Sequence, residues 1–403
     1  MSLTDFKPQF DNAYQEIFQK VLVAKDIASF RFEPQLKFGE SLERVAYDID
    51  SVRVRTVVRG NASTIDSVTD SSELLNINLE KEIVFHLSDG EMKQAGPLNP
   101  GAVIGAKTAM KAAIDFDARV LAEVTNATLT FDDGDLTTTA STGTPITLSS
   151  TTVPQLASRA PAKLRRANQP LTNLAMVVDS YAASDMTQYL LGKNIDLAGS
   201  VFKNGYSGDV SNAQMYVSEN LMGEALLTMA TNPTDGDTMT WNGVVITFVG
   251  TLSGGASEIH IATTVDITRA NLVEWLNAGG ADSEAEAADT GYSAATAADQ
   301  LLLLDITATN DNAANTATIT QIGSGRLILS ETFTAGADVW TKNFIHAYFG
   351  KKGGIDAVLQ DNTEVDMRPT ADKRGTNIFS SYLGGIKTFS DGAKKFLDVH
   401  ILA

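Results

Sequence analysis

NPGAVIGAKTAMKAAIDFDARVLAEV, residues 99–124, is the longest unbroken helical pattern in this chain of 403 residues. Asn99 offers a side-chain oxygen to the free N–H groups of a first helical turn. Pro100 follows where its missing donor costs nothing. Val103, Ala106, Met110, Ala113, Ile114, Val120, Leu121 and Val124 recur at three- and four-residue steps, which predicts one apolar stripe. Lys107, Lys111, Asp115 and Arg119 fall mostly off that stripe. Such a rod would be about 35 Å long, more than a small domain needs. The expectation is that the stripe packs on a sheet and that Met110 points inward.

Upstream, residues 52–59 read VRVRTVVR, an alternating strand pattern with Arg53, Arg55 and Arg59 along one face. Residues 61–73 are rich in Ser, Thr, Asp and Gly, as at an exposed tip. Leu75, Ile77, Leu79, Ile83, Phe85 and Leu87 then take odd positions, while Glu80, Glu82 and His86 take even ones. The two patterns predict an extended hairpin. A two-stranded ribbon buries too little to stand alone, so it calls for a partner surface. Arg53, Arg55, Arg59, Glu80 and Glu82 are the candidate contacts with another copy, the arginines being matched to carboxylates.

Downstream, strands alternate with helices: Thr152–Asn168 with Pro161 inside it, the apolar run Leu174–Val178, and Ser180–Leu191. At Asn232 the composition changes. Residues 232–337 carry a net charge of −11, against −7 for the rest of the chain. Within them Asn242-Gly243 sits between two apolar-alternating runs, the signature of a tight hairpin, and Asp266–Asn277 reads as a helix. This stretch is expected to be a self-contained inserted module, since aromatic strand patterns resume after Trp340. The expected organisation is therefore an arm over 1–48, a hairpin over 49–90, the long helix and its surroundings over 91–130, an α/β region over 131–231, the insertion over 232–337 and closing strands over 338–403.

Composition excludes several classes. There is no cysteine, hence no disulfide, thiolate metal site or cysteine nucleophile. A net charge of −18 argues against a simple nucleic-acid binder. No apolar run approaches a membrane span, and the first residues lack the pattern of a secretory signal, so a cytoplasmic product is expected. His86, His260, His346 and His400 show no metal-ligand spacing in sequence. Asp132, Asp133 and Asp135 around Gly134 have no Glu at the twelfth position, which favours a turn over a calcium loop. Arg159, Lys163, Arg165 and Arg166 read as a solvated helix face or as a contact with an acidic neighbour or nucleic acid. No catalytic constellation and no cofactor are expected.

The order of arm, long hairpin, long capped helix, mixed body and closing strands resembles the major capsid protein of tailed bacteriophages, the Hong Kong 97-type α+β fold. LAMVVDSYAASDMTQYLL (174–191), NGYSGDVSNAQMYVSENL (204–221) and the end from Tyr382 are similar to such proteins in texture. In that family the parts are the N-arm, the E-loop, the spine helix, the P-domain and the A-domain. The resemblance implies a non-enzymatic protein that self-assembles through hexamers and pentamers into an icosahedral shell around double-stranded DNA. It implies a separate scaffolding protein, a portal, and room for a decoration protein. Some members crosslink an E-loop Lys to a neighbour, but no Lys lies between Ser51 and Glu80. An encapsulin-like compartment shell and a phage tail or adhesin component remain as alternatives.

Overall fold

The structure, a computed structural model, describes residues 23–36, 39–48, 52–57, 59, 65–88, 100–137, 142–191, 209–210, 213–285, 289–334, 339–369 and 374–402. The chain forms two compact units, one of residues up to Phe116 with Lys352–Lys395, the other of Asp117–Lys351 with Phe396–Ala403. Its class is α+β, with mixed and antiparallel sheets accompanied by helices.

The first unit is built on a three-stranded antiparallel sheet. Strand β17 (Thr376–Lys387) lies between β16 (Asp356–Pro369) and β3 (Leu79–Leu87). Along β3 exposure alternates residue by residue, as the odd–even pattern predicted. A separate ribbon pairs β1 (Ser41–Asp48) with β2 (Thr69–Asn76) in antiparallel register over eight residues each. The hairpin's first strand is thus Ser41–Asp48, ahead of the alternating run 52–59. The predicted single strand from Leu75 to Leu87 is two, broken at Ile77 and Asn78. The short helices α1 (Ala24–Ile27) and α8 (Ser390–Ala393) complete this unit.

The long helix α2 (Pro100–Ala122) runs from the first unit into the second. Asn99 lies outside the described residues. Its buried face in the first unit is Ala109, Ala112, Ala113 and Phe116, at steps of three and four. Phe116 packs edge-on to Tyr382 of β17 with ring centroids 6.1 Å apart, and stacks on Phe30 at 6.4 Å. Tyr382 also donates its hydroxyl to Asp115. Of the predicted stripe, Ala113, Val120, Leu121 and Val124 are buried. Val103, Met110 and Ile114 are exposed, Met110 by 50%. The stripe is rotated because Phe116, packed on Phe30 and Tyr382, fixes which side of the helix is covered; Ala109, Ala112 and Ala113 share that side, and the larger aliphatic residues are turned out.

The second unit centres on a nine-stranded mixed sheet. Its axis is the long strand β15 (Val339–Lys351). Along one edge of β15 lie β8 (Gly223–Thr228) and then β5 (Leu174–Val178); along the other lies β18 (Phe396–Leu402). Strand β4 (Leu129–Phe131) pairs in parallel with β18, β7 (Ala213–Val217) in parallel with β5, and β6 (Asp209–Val210) with β7. Helices α3 (Asp133–Thr137), α4 (Thr152–Arg166) and α5 (Ser180–Leu191) accompany these strands. Pro161 sits buried inside α4.

Residues 232–337 do not stand apart as the composition suggested. The hairpin of β12 (Ile306–Asp311) and β13 (Thr316–Gln321) extends the main sheet, β13 pairing residue by residue with β8. Strands β9 (Thr238–Trp241), β10 (Val244–Val249), β11 (Glu258–His260) and β14 (Leu329–Glu331) form their own four-stranded sheet. Asn242 and Gly243 turn β9 into β10 with φ of 48° and 92°, the left-handed geometry that this dipeptide favours. Helix α6 (Val265–Asn277) buries Leu272, Trp275 and Leu276, and α7 (Ala297–Leu302) follows it. One core joins Ala225 and Leu227 of β8 to Trp241, Phe248, Trp275 and Ile319. Charge marks what faces water, whereas sheet continuity is set by the apolar faces, so a change in net charge did not mark a fold boundary.

Removing the Phe116 ring by Phe116→Ala should cost about 3–5 kcal/mol of stability. Met110→Asp should leave the melting temperature nearly unchanged. Thermal unfolding followed by circular dichroism measures both, and equal losses would show that the helix faces are assigned the wrong way round.

Candidate assembly surface

The ribbon is rooted by a small apolar cluster of Leu36, Leu75, Val358 and Phe389. Arg44 on β1 donates to Asp391 of α8 at 2.7 Å and lies over the Phe389 ring, 5.1 Å from its centroid. Glu73 on β2 accepts the Ser390 N–H at 2.9 Å. Gln360 on β16 donates to the carbonyls of Leu36 and Gly39. The ribbon's exit from the sheet depends on Gly385: a Cβ there would lie 2.3 Å from the Asn76 carbonyl oxygen. Only a residue without a side chain admits that backbone crossing.

Beyond this root the apolar residues are bare. Val54 is fully exposed, Ile65 is 91% and Val57 81% exposed, and Val45, Val52, Val68 and Leu74 also face water. Burial of each such side chain against a neighbour is worth about 1.5–3 kcal/mol. Asp66 ties the two sides of the tip together: it accepts the Arg53 N–H at 2.9 Å and the Arg55 guanidinium at 2.7 Å. Those two bonds hold its carboxyl below the usual range. Of the three arginines, Arg55 is thus engaged within the chain by its side chain and Arg53 by its backbone N–H, and Arg53 and Arg59 are exposed.

Glu80 and Glu82 are not on the ribbon. They lie on β3, opposite Leu383 and Ser381 of β17. With Asp366, Arg368, Phe379 and Ser381 they line a shallow depression on the three-stranded sheet. Arg368 pairs with Asp366 at 2.6 Å and covers the Phe379 ring. The proposed grouping of Arg53, Arg55, Arg59, Glu80 and Glu82 thus falls on two separate features, because the break at Ile77 and Asn78 moves the chain from ribbon to sheet. The outward row Val103, Met110 and Ile114 on α2, with exposed Lys107 and Lys111 beside it, is a second apolar feature, one that the hydropathy pattern assigned to the interior.

Two other candidates resolve into internal structure. Asp132 is buried and accepts the N–H groups of Gly134, Thr142 and Gly143, which is a turn held by a carboxylate. Lys163 of α4 reaches the Asp135 carboxylate at 2.7 Å, and Arg159 donates to the Asp135 carbonyl. Arg165 and Arg166 remain exposed. No described helix is long and apolar enough to cross a membrane.

No protein-family profile matches the sequence, and no curated protein does. Among solved structures, one titled Mycobacterium phage Che8 is similar over 93% of this chain and 90% of that one, at 14% identity and a TM-score of 0.47. The capsid structure of the cyanophage P-SCSP1u is similar over 90% and 84%, at 11% identity and 0.44. The mature capsid of bacteriophage PhiM1 is similar over 90% and 82%, at 9% identity and 0.44.

The Arg44–Asp391 pair gives a pH signature. The Arg44 hydrogen bond holds the Asp391 carboxyl well below its ordinary value; partial burial opposes this and Lys395 adds to it. A depressed carboxylate stabilises the fold above the unfolded pKa of about 4 and loses that contribution as pH falls below it. The stability gap between the native chain and Asp391→Asn should be widest near neutrality and narrow below about pH 4. Urea unfolding across that range measures the gap, and a constant gap would mean the pair does not hold the ribbon root.

Proposed function

We propose that this chain is a capsid shell subunit, which assembles through its ribbon and the outer face of its long helix into the icosahedral head of a tailed phage, around double-stranded DNA. The observation that carries this reading is the ribbon Ser41–Asn76, anchored at one end and bare of apolar cover at the other. A monomer gains nothing from Val54, Val57 and Ile65 in water, whereas a neighbouring copy would bury them. Each contact of this kind is weak alone, but a closed shell holds every subunit at several edges at once. The exposed row on α2 supplies a second such edge. The acidic total suits a shell that encloses DNA without gripping it.

In this reading the subunit meets copies of itself in hexamers and pentamers. A separate scaffolding protein guides their curvature, a portal occupies one vertex, and a decoration protein has room outside. The subunit is made in the host cytoplasm, ends in the virion and catalyses nothing.

Electron microscopy of the full chain, co-expressed with its scaffolding partner, should show closed shells. Val54→Asp combined with Val57→Asp should leave folded subunits and abolish shells. Normal shells from that variant would remove the ribbon from assembly. Boiled shells should run as single subunits on denaturing gels, because no Lys lies between Ser51 and Glu80 to crosslink; a covalent ladder would contradict this. Nuclease-resistant DNA inside native particles distinguishes a phage head from a compartment filled with protein cargo.

A further inference from the structure

Four side chains from three strands converge on one face of the main sheet. His346 on β15 lies directly opposite His400 on β18, and Asp398 sits two residues before His400 on the same face. His346 Nδ1 is 2.9 Å from Asp398 Oδ2, and His400 Nε2 is 3.1 Å from that same oxygen. The other ring nitrogen of His346, Nε2, meets Glu224 of β8 at 3.3 Å. The imidazoles stand nearly perpendicular, centroids 5.2 Å apart, and Phe344 packs on both. His346 and Asp398 are buried; the His400 side chain keeps 14% of its surface in contact with solvent.

We infer that His346 Nδ1, Asp398 and His400 Nε2 form a binding site for a divalent transition-metal ion of the zinc class, with Glu224 orienting His346 from behind. The three donor atoms lie within 4.8 Å of one another. Tetrahedral zinc with nitrogen and oxygen ligands sets its donors about 3.4 Å apart, so each histidine nitrogen needs to draw back from Asp398 by only a few tenths of an ångström. Two imidazoles and one carboxylate are the borderline ligands that zinc, cobalt and nickel favour. A carboxylate on the far nitrogen of a ligating histidine is the usual device that fixes its tautomer and ring plane. A bound ion would take a water ligand from the solvent-facing side at His400. It would clamp the last strand, β18, to the centre of the sheet.

The test uses the full chain, freed of metal by a chelator and titrated with Zn2+ in a calorimeter at neutral pH. Co2+ in a parallel titration reports coordination through its visible absorption. The expected result is saturation at about one ion per chain and a higher melting temperature with metal. Glu224→Gln should weaken binding about 10–100-fold, as loss of such an orienting carboxylate does, and His400→Gln by more. Because His346→Gln leaves Asp398 buried without its partner and endangers the fold, the partly exposed His400 carries the decisive variant. Absence of saturable binding, or binding that His400→Gln leaves unchanged in a folded chain, would overturn the assignment.

Discussion

Strand β17 is hydrogen-bonded along both edges, to β16 and to β3, and the first unit depends on that double pairing. Tyr382, on this strand, receives the Phe116 ring of the long helix. Gly384 and Gly385, also on it, sit where a neighbouring backbone passes too close for any side chain. A central strand has no free edge of its own, so everything attached to it is positioned from a rigid reference. The ribbon inherits its direction from that reference through Asn76, Ile77 and the Gly385 crossing.

This arrangement separates rigidity from reach. The ribbon's root carries buried apolar contacts, a charged pair and three side-chain hydrogen bonds to backbone. Its far end carries valines in water and a single carboxylate that accepts the Arg53 N–H and the Arg55 guanidinium. Intramolecular folding therefore ends where intermolecular burial becomes the only way to cover the apolar surface. In the second unit the hairpin of β12 and β13 adds to the sheet of β8 and β15, so the acidic stretch is bonded to the body along six consecutive residues of β8. Loads on that stretch pass into the same sheet that holds the His346–Asp398–His400 cluster.

Much of the local structure was legible in the sequence. The long helix ends within two residues of its predicted limit, because apolar periodicity acts over a few residues. The Asn242–Gly243 hairpin and the alternation of Leu79–Leu87 were equally plain, since turn chemistry and the two-residue strand period are local. The facing of the helix was not legible. Hydropathy ranked Met110 and Ile114 above alanine, while the fold covered the side that Ala109, Ala112 and Ala113 share with Phe116. The ribbon's true first strand escaped because SLERVAYD lacks the clean alternation of the run that follows it.

What the sequence determined by itself is the inventory: one long helix, an extended arginine-bearing ribbon, strand patterns on either side, no thiol chemistry and a strongly acidic surface. The tertiary structure alone decided how those parts combine. It set which helix face turns inward, where the Leu75–Leu87 run divides, that residues 306–321 join the main sheet, and that Glu224, His346, Asp398 and His400 meet. The physical reason is range. Backbone preferences act between neighbours along the chain, whereas packing, charge pairing and strand addition act between residues that only the completed fold brings together.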